Sequence, residues 1–289
     1  MSVPPGTVVA EGVGRSFRVS SAHTRTLKET FVRRGKLRSQ EFWALRDVSF
    51  SIEPGEAVGL IGRNGSGKST LFNCITGFVQ PSSGRVSVDG VDITGMRPHQ
   101  VVARGVARTF QTPRLDTRTS VLTAVTCGLY ASVRSSLVGA LFGLPWVMRE
   151  ERLLHDRAEA EMERLGLADL RHVEVGKLSL GLVRLVEVAR CLVSGARFIM
   201  LDEPAAGLTA VEKDRLAAEV RAVAARGLGV LLVEHNIDMV RALCGSIAVL
   251  ETGSLLCEGT ADHVLRNEDV IRSYLGALGD IESAAGGRP

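Results

Sequence analysis

Residues 62–70 form a glycine-rich run that matches G-x-x-x-x-G-K-[ST] at every fixed position: Gly62-Arg63-Asn64-Gly65-Ser66-Gly67-Lys68-Ser69-Thr70. The apolar run 58–61 before it predicts a buried parallel strand, and Leu71 and Phe72 after it predict the first turn of a helix. Glycines let successive N–H groups turn toward phosphate, and a helix start adds partial positive charge. Lys68 is placed to reach the β- and γ-phosphates, and the Ser69 hydroxyl to ligate Mg²⁺. The run therefore predicts a site for a nucleoside triphosphate with Mg²⁺.

Composition limits the class of protein that this chain can be. Its 289 residues suffice for a sizeable core, and we expect residues 1–289 to form a single domain. A net charge of +3 and an aromatic content of 4% do not indicate nucleic-acid binding. The five cysteines are scattered without a C-x-x-C pair, so we expect reduced core side chains and no metal held by them.

No segment predicts a membrane anchor. Residues 1–7 lack the basic-then-apolar pattern of a secretion signal. The longest uncharged apolar stretch, 137–148, contains glycines and Pro145 and is shorter than the ~20 residues of a spanning helix. We therefore expect a soluble protein, or one that a partner holds at a membrane.

Strand and helix patterns alternate along the chain. Alternating apolar residues predict early strands over 8–17, 43–54 and 85–91. Residues from about 114 to 178 predict a mostly helical region. Beyond it, the short apolar runs 198–201 and 230–233 lie next to charged helical segments, which indicates βα units and a mostly parallel sheet. The last predicted features are an antiparallel pair over 246–257 and a frayed tail over about 280–289.

An unusual basic segment covers about residues 20–41. It carries six lysines and arginines against Glu29 and Glu41, with apolar residues at roughly helical spacing. One interpretation is a solvated charged helix or loop. The other is contact with anionic lipid headgroups, or with the cytoplasmic face of a membrane partner.

A second chemical signal is the pair Asp202-Glu203 at the end of an apolar strand. Carboxyl ends of parallel strands face the crevice that holds the phosphate loop. Asp202 is placed to hold Mg²⁺ through water, sharing the ion with Ser69. Glu203, one residue on, is placed to orient and polarise the attacking water.

Three weaker signals support a nucleotide site when they are taken together with these two. Ser179 and Gly181 form a Ser-x-Gly turn that leads into a helical run, which makes either a second anion-binding helix start or an ordinary helix cap. His235 follows the apolar strand 230–233 on the same predicted sheet edge as Asp202. Gln111 is placed to reach both metal and water, and its alternative role is that of a solvated loop residue.

The order of these motifs resembles the ATP-binding cassette (ABC) family over essentially the whole chain. That family has a phosphate loop, a glutamine loop, a Ser-x-Gly signature, a strand-terminal Asp-Glu and a switch histidine, in this order. The resemblance implies an α/β fold, a P-loop NTPase with a RecA-like core, an antiparallel β subdomain and an inserted helical subdomain. It further implies ATP and Mg²⁺ as ligands.

The resemblance also implies residue roles. Two cassettes would sandwich two ATP molecules, so that Ser179 and Gly181 contact the γ-phosphate bound by the partner cassette. Glu203 would act as the base and His235 as the γ-phosphate sensor, with Gln111 as the hinge of the helical subdomain. Separate transmembrane permease subunits would be the other partners, which places the chain at the cytoplasmic face of the inner membrane as a peripheral subunit.

Within the family, two resemblances point to different substrates. Residues 71–110, 203–208 and 258–276 are similar to ATPases of branched-chain amino-acid importers. The segment before the phosphate loop, with its basic insertion and Glu41-Phe42-Trp43-Ala44-Leu45, is similar to ATPases of polysaccharide and teichoic-acid exporters. Import of branched-chain amino acids or similar small molecules is the first hypothesis, and export of glycans or lipid-linked glycans is the alternative.

Two further points follow from the resemblance. Phe17 is the aromatic expected to stack on adenine, and Trp43 is the second choice. The signature has Leu180 and Leu182 where the family usually has Gly and Gln. Leu182 removes amide hydrogen bonds, each worth about 1 kcal/mol, so a low-turnover nucleotide-sensing cassette is a third hypothesis.

Overall fold

The computed structural model describes residues 6–20, 39–132 and 145–275. The basic segment 20–41 falls outside these ranges except at its two ends, and the tail 280–289 falls outside entirely. The predicted lipid contact therefore stays a prediction. Among the helices described, none has the length and apolarity to cross a membrane.

The described residues form ten strands and nine α-helices. The strands are β1 (Val8–Ser20), β2 (Ser39–Ile52), β3 (Ala57–Ile61), β4 (Ser83–Val88), β5 (Val91–Asp92), β6 (Val106–Arg108), β7 (Phe198–Asp202), β8 (Gly229–Val233), β9 (Ser246–Glu251) and β10 (Ser254–Thr260). The helices are α1 (Lys68–Ile75), α2 (Pro98–Ala103), α3 (Val121–Thr126), α4 (Pro145–Arg164), α5 (Leu180–Val193), α6 (Ala210–Ala225), α7 (Ile237–Leu243), α8 (Ala261–Leu265) and α9 (Glu268–Val270).

The first sheet is antiparallel, with strand order β2-β1-β4-β5. In the β1–β2 pair, Ser16 lies opposite Trp43 and Phe17 lies opposite Phe42. This sheet is the predicted antiparallel β subdomain.

The second sheet has the order β10-β9-β3-β8-β7-β6 and is parallel except for its edge strand β10. Strands β3, β7 and β8 are buried at every residue, as expected for parallel strands covered on both faces. The β9–β10 hairpin turns at Thr252 and Gly253, both with positive φ, as a tight hairpin requires. The prediction of a mostly parallel sheet with a terminal antiparallel pair is confirmed.

The parallel sheet separates two apolar cores, because alternate side chains of a strand face opposite sides. Val230 and Leu232 of β8 join the core formed with α3 to α7. Leu231 and Val233 join the core between the two sheets, which also holds Leu71, Phe72, Cys74 and Ile75 of α1. Helix α1, which follows the phosphate loop, is therefore packed between the two sheets.

The helical region packs as a unit that extends beyond the predicted range of 114–178. Helices α3 and α4 pack on each other and on α5, which begins after residue 178. Six of the described helices begin after a side chain that accepts from a backbone N–H of the first turn, namely Ser120, Ser179, Thr209, Asn236, Thr260 and Asn267.

Candidate active site

The functional residues gather where parallel strands end. Gly62 follows β3, Glu203 follows β7 and His235 comes two residues after β8, so the sheet brings all three to one edge. A cavity of about 350 Å³ opens at this edge. It is lined by Phe17, Phe42, Ala44, residues 64–70 and Glu203.

The glycine-rich loop holds its form through close backbone contacts. Gly67 has φ of 108°, and a Cβ there would come within 2.7 Å of the carbonyl oxygen of Ala44. Only glycine satisfies both conditions. The loop therefore packs closely against β2, and its residues 64–70 line the cavity.

Lys68 supplies the positive charge of the cavity. Its Nζ donates to the carbonyl oxygens of Gly62 at 2.6 Å and Arg63 at 3.0 Å. Burial lowers the pKa of Lys68, while the carboxylates of Glu203 and Asp202 act in the opposite direction. A buried ammonium held by neutral carbonyls is suited to exchange them for phosphate oxygens.

The carboxylate of Glu203 lies between the side chains of Gln111 and His235, which the sequence assigns to the same site. Gln111 Nε2 donates to Glu203 Oε2 at 2.8 Å, and His235 Nε2 lies 2.8 Å from Glu203 Oε1. When the carboxylate is ionised it only accepts, so the histidine Nε2 then donates the hydrogen. Glu203 itself has φ of 46°, a conformation that costs energy for a residue with a side chain. Its N–H donates to the carbonyl of Val233 at 2.9 Å, which ties this strained residue to β8.

Asp202 is fixed by a residue that the sequence reasoning passed over. Arg108, at the end of the neighbouring strand β6, donates to Asp202 Oδ2 at 2.8 Å, and both side chains are about 10% exposed. Arg108 also donates to Asn73 Oδ1 at 2.6 Å. The signal that would have identified it is its place at the same sheet edge as Asp202.

The three residues predicted to bind Mg²⁺ supply a suitable set of donors. Ser69 lines the cavity with a hydroxyl, and Asp202 engages Arg108 through only one of its two oxygens. Gln111 donates through its nitrogen, so its carbonyl oxygen remains an acceptor. Hydroxyl, carboxylate and amide oxygens are the hard ligands that Mg²⁺ prefers, so the residues present fit this ion.

Glu234 is a second functional residue that sequence reasoning did not single out. It is 4% exposed, and its two oxygens accept from the N–H groups of Ala205 at 2.7 Å and His235 at 3.2 Å. Burial raises the pKa of Glu234. This carboxyl links the segment after Glu203 to the backbone of His235, so it positions both.

The aromatic residues at the cavity correct part of the sequence interpretation. Phe17 lines the cavity as predicted, but the second aromatic there is Phe42 and not Trp43. Consecutive strand residues point to opposite faces, so Phe42 shares the face of Phe17, its cross-strand neighbour. The guanidinium of Arg15 lies 4.7 Å from the Phe17 ring centre.

The Ser-x-Gly turn lies away from this cavity on the helical side. Ser179 caps α5, and its hydroxyl donates to Glu212 Oε1 at 2.7 Å. The Gly181 N–H donates to the same oxygen at 3.2 Å. Leu180 is exposed, whereas Leu182 packs on the core. Within the described chain, Ser179 and Gly181 are therefore not brought to the cavity of their own subunit.

Arg184 connects helix α5 to the glutamine loop. Its guanidinium donates to the carbonyl oxygens of Phe110 at 2.7 Å and Gln111 at 2.5 Å. It also pairs at 3.0 Å with Glu187, which is fully buried. Burial raises the pKa of Glu187, with Arg184 acting against that rise. The guanidinium thus fixes the backbone of the residue whose side chain holds Glu203.

This fold and site define a P-loop ATPase domain with an attached helical region. The sequence profile described as ABC transporter matches residues 45–206. The chain belongs to this family and is an ATP-hydrolysing, ATP-binding subunit.

Similar proteins extend the match over most of the chain. The high-affinity branched-chain amino acid transport ATP-binding protein BraF of Pseudomonas aeruginosa is 36% identical, over 81% of this chain and 92% of that protein. The corresponding protein LivG of Escherichia coli strain K12 is also 36% identical, with the same coverage. None of this bears on the likeness of the N-terminal segment to exporter ATPases, which stays a prediction.

The solved structures agree with this assignment. The ADP conformation of MJ1267, an ATP-binding cassette of an ABC transporter, superposes with a TM-score of 0.74 at 31% identity, covering 93% of this chain and 98% of that one. The predicted fold class is therefore confirmed.

Proposed function

We propose that Glu203 is the base of ATP hydrolysis at the cavity above the glycine-rich loop. The observation that carries this proposal is the carboxylate of Glu203, held at the cavity between Gln111 and His235. A carboxylate fixed on both oxygens is placed to orient a water and accept its proton. Lys68 offsets charge on the β- and γ-phosphates, and His235 senses the γ-phosphate through its contact with Glu203.

Residues 62–70 and Phe17 form the ATP-binding surface in this proposal. Backbone N–H groups of the loop bind the phosphates, and Phe17 with Phe42 offers aromatic surface to the adenine. Ser69, Gln111 and Asp202 would hold Mg²⁺, which would neutralise charge on the phosphates when bound. Arg108 keeps Asp202 oriented for this task.

The reaction centre is complete only with a second cassette. Ser179 and Gly181 supply anion-binding donors but lie outside their own cavity, so they serve the ATP of a partner subunit. The relatives are named as transport ATP-binding proteins, which supports a role in transport. In this proposal the chain assembles with transmembrane permease subunits at the cytoplasmic face of the inner membrane. The basic segment 20–41 adds contact with anionic lipid there.

The transported molecules in this proposal are branched-chain amino acids or similar small molecules, and the direction is import. The relatives' names support the substrate class, since they are branched-chain amino acid transport ATP-binding proteins. Deletion of the gene should abolish uptake of labelled leucine, and the wild-type chain should restore it. Glu203→Gln should bind ATP, form a stable dimer and fail to restore uptake, since only the base is lost. Near-wild-type hydrolysis by this variant would refute the assignment of the base. Normal leucine uptake with loss of surface glycan in the deletion strain would instead favour the exporter.

One observation favours a second candidate, a low-turnover nucleotide sensor. Leu182 packs its alkyl chain on the core where the family usually has an amide. ATPase rates of the wild type and Leu182→Gln decide between the transporter ATPase and the low-turnover sensor. A wild-type rate near background that rises in the variant supports the sensor, and a substantial wild-type rate excludes it.

A further inference from the structure

The N-terminus of helix α5 is engaged by an acidic side chain of its own subunit. Glu212 lies in the first turn of α6, and its Oε1 accepts from the Ser179 hydroxyl at 2.7 Å and the Gly181 N–H at 3.2 Å. These are the two groups that the proposed function assigns to the γ-phosphate of the partner's ATP. A carboxylate oxygen therefore stands where a phosphate oxygen is expected to bind.

This contact exceeds what the capping of α6 requires. The capping box uses Oε2, which accepts from the Thr209 N–H at 3.1 Å and the Thr209 hydroxyl at 3.0 Å. Oε1 takes no part in this capping box and accepts instead from the Ser-x-Gly turn at the start of α5. The side chain thus bridges two helix starts, and each contributes partial positive charge to the carboxylate.

Glu212 is ionised at neutral pH. Hydrogen bonds from Ser179 first and then from Thr209 hold the pKa of Glu212 down to about 2. Glycine at position 181 is also needed for the contact, since a Cβ there would lie 2.6 Å from the Glu212 carboxylate. The start of α5 therefore has the negative charge of the Glu212 carboxylate beside it.

We propose that Glu212 is an internal competitor for the γ-phosphate of the partner's ATP and so sets the affinity with which two cassettes close. This inference rests on the proposed function, in which Ser179 and Gly181 act on the opposite subunit. One hydroxyl hydrogen and one N–H cannot serve both acceptors at once, and two anions at one helix start repel each other. Closure therefore requires the Glu212 carboxylate to leave the turn. Because the carboxylate is partly exposed, it can move into solvent.

The substitution Glu212→Gln tests this proposal without removing the helix cap, since glutamine also completes a capping box. It is made in the hydrolysis-deficient Glu203→Gln subunit, and dimer formation is followed by analytical ultracentrifugation during ATP titration. We expect the ATP concentration for half-maximal dimerisation to fall by at least about threefold, because a charge-assisted hydrogen bond is replaced by a weaker neutral one. ATP affinity of the monomer should not change, because Glu212 does not line its own cavity.

Asp214→Asn is the matched control, since it removes one exposed carboxylate from the same helix. It should leave dimerisation as in the parent, and melting curves of both variants should match the parent. If Glu212→Gln leaves the half-maximal ATP concentration unchanged or raises it, the competitor role is wrong while the paired cassette stands. If the parent fails to dimerise with ATP, the proposed pairing itself fails, and the role of Glu212 fails with it.

Discussion

At the scale of single residues, the site depends on side chains that are fixed from two sides. Glu203 adopts a strained backbone conformation and is tied to β8 by its N–H and to Gln111 and His235 by its carboxylate. Strain of this kind costs roughly 1–3 kcal/mol and persists only where surrounding contacts impose it. The carboxylate is therefore preorganised before nucleotide binds.

The aromatic pair at the cavity gives a prediction at the same scale. Phe42→Ala and Phe17→Ala should each weaken ATP binding by about tenfold, since stacking of a base on an aromatic ring is worth ~1–3 kcal/mol. Trp43→Ala is the control, because Trp43 lies opposite Ser16 on the other face of β2. Isothermal titration calorimetry with ATP measures all three. Wild-type affinity in Phe42→Ala, or weak binding only in Trp43→Ala, would contradict the assignment.

At the scale of elements, helix α5 joins the Ser-x-Gly turn to the carboxylate of Glu203. Ser179 caps the helix, and Arg184, just over one turn later, donates to the backbone of Phe110 and Gln111. Gln111 in turn donates to Glu203. We therefore expect these three contacts to pass a displacement of α5 by a bound partner to Glu203, the proposed base.

Arg184→Lys tests this connection. Arg184→Ala would remove the arginine that pairs with the buried Glu187 at 3.0 Å and would cost about 3–5 kcal/mol of stability. Because that loss would obscure an effect on catalysis, the lysine variant is the informative one. Lysine keeps a positive charge beside Glu187 but lacks the planar guanidinium that donates to the carbonyls of both Phe110 and Gln111. We expect kcat to fall about tenfold with little change in KM, because the loss of such a bond affects the base and not ATP binding.

The control for this variant is Arg190→Lys on the same helix. Arg190 also lies 4.0 Å from Glu187, but it donates to the carbonyl of Arg114 and not to Phe110 or Gln111. Steady-state ATPase assays give both parameters for each variant. A kcat equal to the wild type in Arg184→Lys would show that other contacts hold the glutamine loop.

At the scale of the whole molecule, an ion cluster joins the helical region to the α/β core. Arg226, which ends α6, donates to both oxygens of Glu161 on α4, at 3.0 and 2.7 Å. Burial acts to raise the pKa of Glu161, but the hydrogen bonds and charges of Arg226 and Arg164 together outweigh it, and the net pKa lies below the ordinary value. Since the folded pKa is depressed, Glu161 stabilises the fold above its unfolded pKa of about 4.5, and this contribution is lost as pH falls through the folded pKa.

Glu161→Gln should therefore lower the free energy of unfolding by about 1–3 kcal/mol at pH 7, the range for hydrogen bonds to charged groups. The difference from the wild type should shrink as pH falls below the unfolded pKa. Urea unfolding at neutral and acidic pH measures this, with the exposed neighbour Glu163→Gln as control. A difference that grows on acidification would reverse the assigned sign.

Much of the fold was predictable because its signals are local. The nine residues 62–70, the fully apolar strands β3, β7 and β8, and the turn at Thr252 and Gly253 each carry their own physical constraint in contiguous sequence. The sheet edge that collects Gly62, Glu203 and His235 follows from parallel strands alone.

The contacts that position the site were not predictable, because they join residues far apart in the chain. Arg108 meets Asp202 across 94 positions, and Ser179 meets Glu212 across 33. The register of β1 on β2 selects Phe42 over Trp43, since a shift of one residue would exchange the faces. Local sequence thus specifies which chemistry this chain carries, whereas packing between distant segments sets which side chains hold it in place.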